Sequence, residues 1–131
     1  MIGLDTNVLV RYIAQDDATQ SQRASTLIES LTDVNQGFIS VVAVVELVWV
    51  MQGSYQTTQR EIVAILEKLL RVGVFHVENA EVVLKALHIY AHTNTDFADC
   101  LIERSGHHAR CSHTVTFDSA AAKRAGMCLI A

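Results

Sequence analysis

No apolar run in this chain is long enough to cross a bilayer or to form the core of a signal peptide, although half of its 131 residues are hydrophobic and only 18% are charged. A soluble, cytoplasmic protein is therefore expected. A basic surplus is missing too, since ten Lys and Arg against fourteen Asp and Glu leave a net charge of −4. That argues against a protein holding nucleic acid through bulk positive charge, so any phosphate contact has to be local or bridged by a metal. Cysteine is scarce and odd in number: Cys100, Cys111 and Cys128 show no Cys-x-x-Cys spacing. Neither a disulfide framework nor a four-thiolate zinc site is indicated, and all three read as reduced thiols. Proline is absent, which says nothing about function, and no repeat, linker or low-complexity segment breaks the chain. One domain over residues 1–131 is expected, long enough to bury about two-thirds of the surface its unfolded chain would expose.

What is present begins with Met1-Ile2-Gly3-Leu4, a short apolar run that reads as a buried strand and stops at Asp5. Asn7, Leu9, Val10 and Ile13 then fall at helical spacing. Asp5 thus stands at a strand's carboxyl end, the edge where ligands bind in an open α/β sheet, although such an Asp also serves as a helix cap. Further on, the pattern predicts a helix from Asp16-Asp17 to about Leu31, a short strand at Phe38-Ile39 and an N-cap at Ser40. Val41 to Met51 reads as a buried helix with Gly53 just past its end. Thr57 or Thr58 caps the next helix, and Val74 to Val77 is a strand. Asn79 caps a helix carrying Val82, Val83, Leu87 and Tyr90. Asp96 and Asp99 open another, His113 to Phe117 is a strand, Ala120 to Arg124 a short helix and Cys128 to Ile130 a closing strand. Short strands alternating with helices mean an α/β fold, its parallel sheet covered by crossover helices.

Four carboxylates stand out by position. Asp5 and Asp118 each follow an apolar strand, Glu46 is the one charge inside an apolar helix, and Asp99 lies in a helix's first turn with Asp96 three residues before it. An acid within the run around Glu46 needs a partner, because burying an unpaired carboxylate costs several kcal/mol or more. An Arg or Lys salt bridge would serve Glu46, helix-dipole stabilisation would account for Asp96 and Asp99, and capping would account for Asp118. Taken together, acids converging on one sheet edge repel one another unless a divalent cation lies between them. Oxygen-only ligands suit Mg²⁺ or Mn²⁺ rather than zinc, and such a site performs phosphoryl transfer through a metal-activated water.

At these residues the sequence resembles the PIN-domain family, and within it the VapC-like ribonuclease toxins of type II toxin-antitoxin modules. The resemblance covers nearly the whole chain. It rests on Leu4-Asp5-Thr6-Asn7-Val8-Leu9, on Ser40 with Val45-Glu46-Leu47, on Asp96-Phe97-Ala98-Asp99 with Leu101-Ile102, and on Thr116-Phe117-Asp118. It implies a three-layer α/β/α domain with a central parallel sheet of about four to five strands. Asp5, Glu46, Asp99 and Asp118 become the metal-binding catalytic acids, Asp96 an accessory ligand, and Asn7 and Thr116 hydrogen-bonding supports. It further implies Mg²⁺- or Mn²⁺-dependent endonuclease action on RNA, a homodimer, and a small antitoxin that blocks the site. Glu103-Arg104 departs from the pattern, placing charges where many relatives have small residues. Glu103, one turn beyond Asp99 and on its face, either touches the site through water or, as expected of an exposed helical acid, pairs with a neighbouring Arg.

Arg11, Lys123 and Arg124 lie near the expected cleft as charge-assisted donors to RNA phosphates, unless they only decorate solvated helix faces. His107, His108, Cys111 and His113 crowd seven residues, but His-x-x-Cys-x-His matches no common zinc spacing and reads as a polar loop. Trp49 reads as packing rather than as a platform for a base. A haloacid-dehalogenase-like phosphatase would want a second Asp where Asn7 stands, and a receiver domain would want a late strand-end Lys, whereas Lys68, Lys85 and Lys123 all read as helical. A non-catalytic interaction module would keep the fold without needing every acid.

Overall fold

The computed structural model describes residues 1–130, which fall into two compact units, Met1–Glu78 and a second beginning at Asn79. In the first, β1 (Ile2–Gly3), β2 (Gly37–Ile39) and β3 (Phe75–Val77) pair in parallel in that order, with Ile2 opposite Gly37 and Ile39 opposite Val77. Parallel neighbours need long crossovers. Here α1 (Thr6–Ala14) and α2 (Ala18–Glu29) join β1 to β2, while α3 (Val41–Ser54) and α4 (Gln59–Arg71) join β2 to β3.

Short polar side chains set where each helix starts. Asp5, Asp17, Ser40 and Thr58 accept first-turn backbone N–H groups, and Thr58 and Glu61 form a full capping box. Leu9, Ile39, Val44, Leu47, Ile62 and Leu66 close the core of this unit. Gly37 marks a close approach: a Cβ there would lie 2.7 Å from Leu4 Cδ1 and 2.9 Å from Leu31 Cδ1. A side chain there would have to push the ends of both leucines aside.

The second unit holds α5 (Ala80–His92), α6 (Phe97–His108), β4 (Val115–Thr116), α7 (Ser119–Arg124) and β5 (Cys128–Leu129). α5 packs on α6, with a T-shaped contact of Tyr90 on Phe97, ring centroids 5.7 Å apart, and Val83, Leu87 and Cys100 on the two helices are buried. β4 and β5 pair in parallel, Val115 opposite Cys128. All five strands of the described residues thus pair in parallel, as two groups of three and two. No helix among the described residues is long and apolar enough to cross a membrane.

The α/β class and the element order follow the sequence pattern, with several corrections. α3 runs on to Ser54, so Gly53 lies inside it rather than beyond it. It is not buried all round. Ala43, Val44, Leu47, Val48 and Met51 face the core, while Val42, Glu46 and Trp49 are exposed on the opposite side, Trp49 at 76%. A helix apolar on nearly every face gives no periodicity from which to choose its buried side, so Glu46 and Trp49 lie in solvent where the sequence pattern predicts burial and packing. The strand expected over His113 to Phe117 shrinks to Val115–Thr116, because the partner strand offers only two residues to pair with. Asn79 occupies the cap position of α5 with φ 49° but makes no side-chain cap bond. It supplies a left-handed turn that Asn tolerates better than most residues.

Candidate functional site

Asp5 follows β1 and caps α1, the Thr6 backbone N–H donating to Asp5 Oδ1 at 2.7 Å. Thr6 itself is buried, and its hydroxyl donates to Glu46 Oε1 at 2.8 Å. This bond ties the first turn of α1 to the middle of α3 and aims the Glu46 carboxylate. Asp5, Thr6, Asn7, Arg11, Glu46 and Tyr55 share the lining of one cavity of about 440 Å³. Arg11 is fixed on its wall: Nε donates to Gln20 Oε1 at 2.8 Å and Nη1 to Asp16 Oδ1 at 3.1 Å. The Tyr55 hydroxyl donates to Asp16 Oδ2 at 2.7 Å, which is the main reason the Asp16 carboxyl lies below its ordinary value and the Tyr55 hydroxyl above its own.

In the second unit Asp96 caps α6, Oδ1 accepting from the N–H groups of Ala98 at 2.7 Å and Asp99 at 3.3 Å. Asp118 caps α7 in the same way, accepting from Ala120 at 2.8 Å and Ala121 at 3.3 Å, while its own N–H donates to Thr116 Oγ1 at 3.0 Å. Thr116 thereby fixes the backbone of Asp118. Asp99 is half-buried, and its carboxyl is held above the ordinary value first by burial, then by the negative charges of Asp96 and Asp118. Cys100, fully buried beside it, is pushed up to about 11 by burial first and then by the negative charges of Asp99, Asp96 and Glu103, so it stays a thiol.

Three of the five acids are caps, then, but every cap bond uses Oδ1, so the second oxygen of each carboxylate lies outside the cap. The ion pairs among the described residues are Arg11–Asp16, Lys85–Glu81 and Arg104–Glu103. None includes Asp5, Glu46, Asp96, Asp99 or Asp118, so no Arg or Lys balances their charge. A set of unpaired carboxylate oxygens is the donor chemistry of a hard divalent cation. Among the described residues no three His, Cys, Asp or Glu side chains stand close enough together to hold a metal ion. A cation would then take one or two carboxylates and complete its shell from solvent and substrate, the habit of Mg²⁺.

The PIN domain family matches residues 2–127, a span that takes in all five acids. The chain belongs to the PIN domain family. No curated protein matches it. PIN domains are in general metal-dependent nucleases, which agrees with acids left without protein cations.

Asp5 and Glu46 lie in the first unit of this PIN domain, and Asp96, Asp99 and Asp118 in the second. Asn7 and Arg11 line the Asp5–Glu46 cavity. Lys123 and Arg124 are exposed on α7 and border a different cavity, and Arg124 Nη1 donates to the Asn94 carbonyl at 3.0 Å. Glu46 carries no burial penalty, being exposed and bonded to Thr6. Glu103 does pair with Arg104, at 2.6 Å, but it is buried rather than exposed. The sequence pattern does not reveal the roles of Thr6, Asp16 and Tyr55. Thr6 carries a local signal, since it follows Asp5 directly, whereas Tyr55 lies 39 residues from its partner Asp16, a pairing that only the fold makes.

Proposed function

We propose that this PIN domain is a single-domain endoribonuclease that hydrolyses RNA phosphodiester bonds with Mg²⁺ or Mn²⁺. We propose further that it acts as the toxin of a toxin-antitoxin module, as a homodimer restrained by a small antitoxin protein. The observation that carries the nuclease reading is the Asp99 carboxyl, held above its ordinary value beside Asp96 and Asp118 with no Arg or Lys paired to any of the three. A carboxylate drawn partly out of water, as Asp99 is, normally has a charged partner, and placing it near further acids instead is a functional-site signature.

Asp5, Glu46, Asp99 and Asp118, with Asp96 as accessory, are the carboxylates from which the cation would draw its one or two protein ligands. When bound, a divalent cation supplies Lewis-acid polarisation of the phosphodiester and charge for the departing oxygen. The chain's own contribution is orientation: Thr6 aims Glu46, Thr116 fixes Asp118, and capping pins one oxygen of Asp5, Asp96 and Asp118 while leaving the other for a ligand. Asn7, Arg11 and Lys123 offer donors to RNA phosphates. The toxin reading is supported by the motif resemblance and by exposed Val42 and Trp49 on the helix of Glu46, an apolar rim beside an acid that suits a protein inhibitor.

A panel of structured RNAs incubated with the purified protein tests the reading. Cleavage is expected in Mg²⁺ or Mn²⁺ and none in EDTA, and RNA left intact in both metals sinks the nuclease. Co-expression with the product of the adjacent gene tests the toxin. If no small protein copurifies, a stand-alone nuclease replaces it.

A further inference from the structure

In a chain with net charge −4, two arginines on one small cavity are a local exception that needs an account. Arg11 on α1 and Arg23 on α2 both line a cavity of about 280 Å³, together with Asn7 and Gln20. Their settings differ. Arg11 is immobilised by Gln20 and Asp16, with Tyr55 bonded to the far oxygen of that same Asp16, while its Nη2 makes none of those bonds. Arg23 is exposed, forms none of the ion pairs of the described residues, and lies six residues beyond the Asp17 cap, well inside α2. An Arg with no acid beside it, next to one already held in place, is the pattern of a phosphate site, since guanidinium forks match phosphate oxygens and a rigid fork loses little entropy on binding. Gln20 accepts from Arg11 through Oε1, which leaves its amide N–H groups to donate, and the Asn7 side chain adds another donor.

The position of this cavity matters as much as its lining. Asn7 and Arg11 line both it and the cavity of Asp5 and Glu46. An acidic cavity and a basic one therefore share a wall one helical turn long. We infer that the Arg11–Arg23 cavity is a subsite for a backbone phosphate of the RNA strand, next to the phosphate that reacts at the acids. Asp16 and Tyr55 act in it as positioning residues for Arg11. The inference rests on the ribonuclease reading for its ligand but not for its site, which stands on residues outside the acid set.

RNA binding measured in EDTA, where nothing is cut, separates the two. The probe is a fluorescent single-stranded RNA oligonucleotide titrated at several salt concentrations, with wild type, Arg23→Ala, Arg23→Lys and, as a control on α4, Arg60→Ala. Ala is favourable within a helix, and melts confirm that each variant is folded. Arg23→Ala is expected to weaken binding about tenfold and to lower the slope of log affinity against log salt by about 1. Arg23→Lys should restore the slope but not the whole affinity, and Arg60→Ala should change neither. Tyr55→Phe should weaken RNA binding in the same direction as Arg23→Ala, and a lower melting temperature with unchanged RNA affinity would mark Tyr55 as merely structural. If Arg23→Ala and Arg60→Ala behave alike, the subsite is overturned. A wild type that cuts no RNA in metal but still shows the Arg23 effect in EDTA overturns the nuclease and keeps the subsite. A wild type that does not bind RNA at all overturns both.

Discussion

Asp99→Asn is expected to slow RNA cleavage by about 10²- to 10³-fold, the cost typical of removing one group that stabilises charge in the transition state, while leaving the protein at least as stable in EDTA at neutral pH. The second half follows from linkage. Burial and the charges of Asp96 and Asp118 hold the Asp99 carboxyl above its ordinary value, so the folded state binds that proton more tightly than the unfolded chain does. The contribution of Asp99 to stability is then complete below the ordinary carboxylate value of about 4 and is lost as pH climbs through the folded value. At neutral pH the charged group opposes folding, and Asn removes that opposition. The advantage of the variant should therefore shrink as the pH is lowered towards 4 and wild type takes up its proton. Asp118→Asn separates capping from charge, because Asn caps a helix as well as Asp does. It should melt close to wild type in EDTA, lose cleavage to a similar degree, and gain less from metal than the about 2.7 kcal/mol that a hundredfold excess of ligand over its Kd confers on a protein binding it only when folded. Melts in EDTA and in Mg²⁺, alongside cleavage of a labelled RNA, read all of this. Variants that cleave within about threefold of wild type would remove both acids from the transition state.

The largest change in stability is expected at Arg104→Ala. Glu103 is buried on α6, and its carboxylate takes both forks of Arg104, Nε at 2.6 Å and Nη2 at 3.1 Å, which also raises the pKa of the guanidinium. Taking one partner from a fully buried pair costs about 3–5 kcal/mol, because the other charge is left in a poor solvent. Here 23% of the Arg104 side chain and 11% of the Glu103 side chain remain exposed, so about 2 kcal/mol is the appropriate figure, or a fall of roughly 6–10 °C in Tm for a chain of this length. The double variant Glu103→Gln/Arg104→Ala should recover much of the loss, since it no longer buries a charge. A double-mutant cycle by thermal melts reads the coupling, and a double variant as unstable as Arg104→Ala would show that the Arg104 stem, not the charge, is what matters.

Much of this protein was decided by its sequence. The alternation of short apolar runs with helical spacing dictated the α/β class, because a parallel pair needs a helical crossover. Ser40, Thr58, Asp96 and Asp118 announced their helices, since caps are local chemistry between a side chain and the next three backbone N–H groups. Four of the five candidate acids stand out for the same reason, since a carboxylate at a strand end or in a first turn is visible within a few residues, and Glu46 stands out as the one charge in an apolar helix. What tertiary structure decided were the facts that depend on distance in the chain. Which side of α3 faces water, and hence that Glu46 and Trp49 are exposed, is not encoded in a helix apolar on nearly every side, and it is fixed by what the rest of the first unit packs against. That Thr6 aims Glu46 across 40 residues, that Tyr55 reaches Asp16 across 39, and that Arg23 shares a cavity with Arg11 are consequences of helices brought side by side. A single sequence carries no periodic signal for such meetings, because each is set by how the helices pack rather than by spacing along the chain.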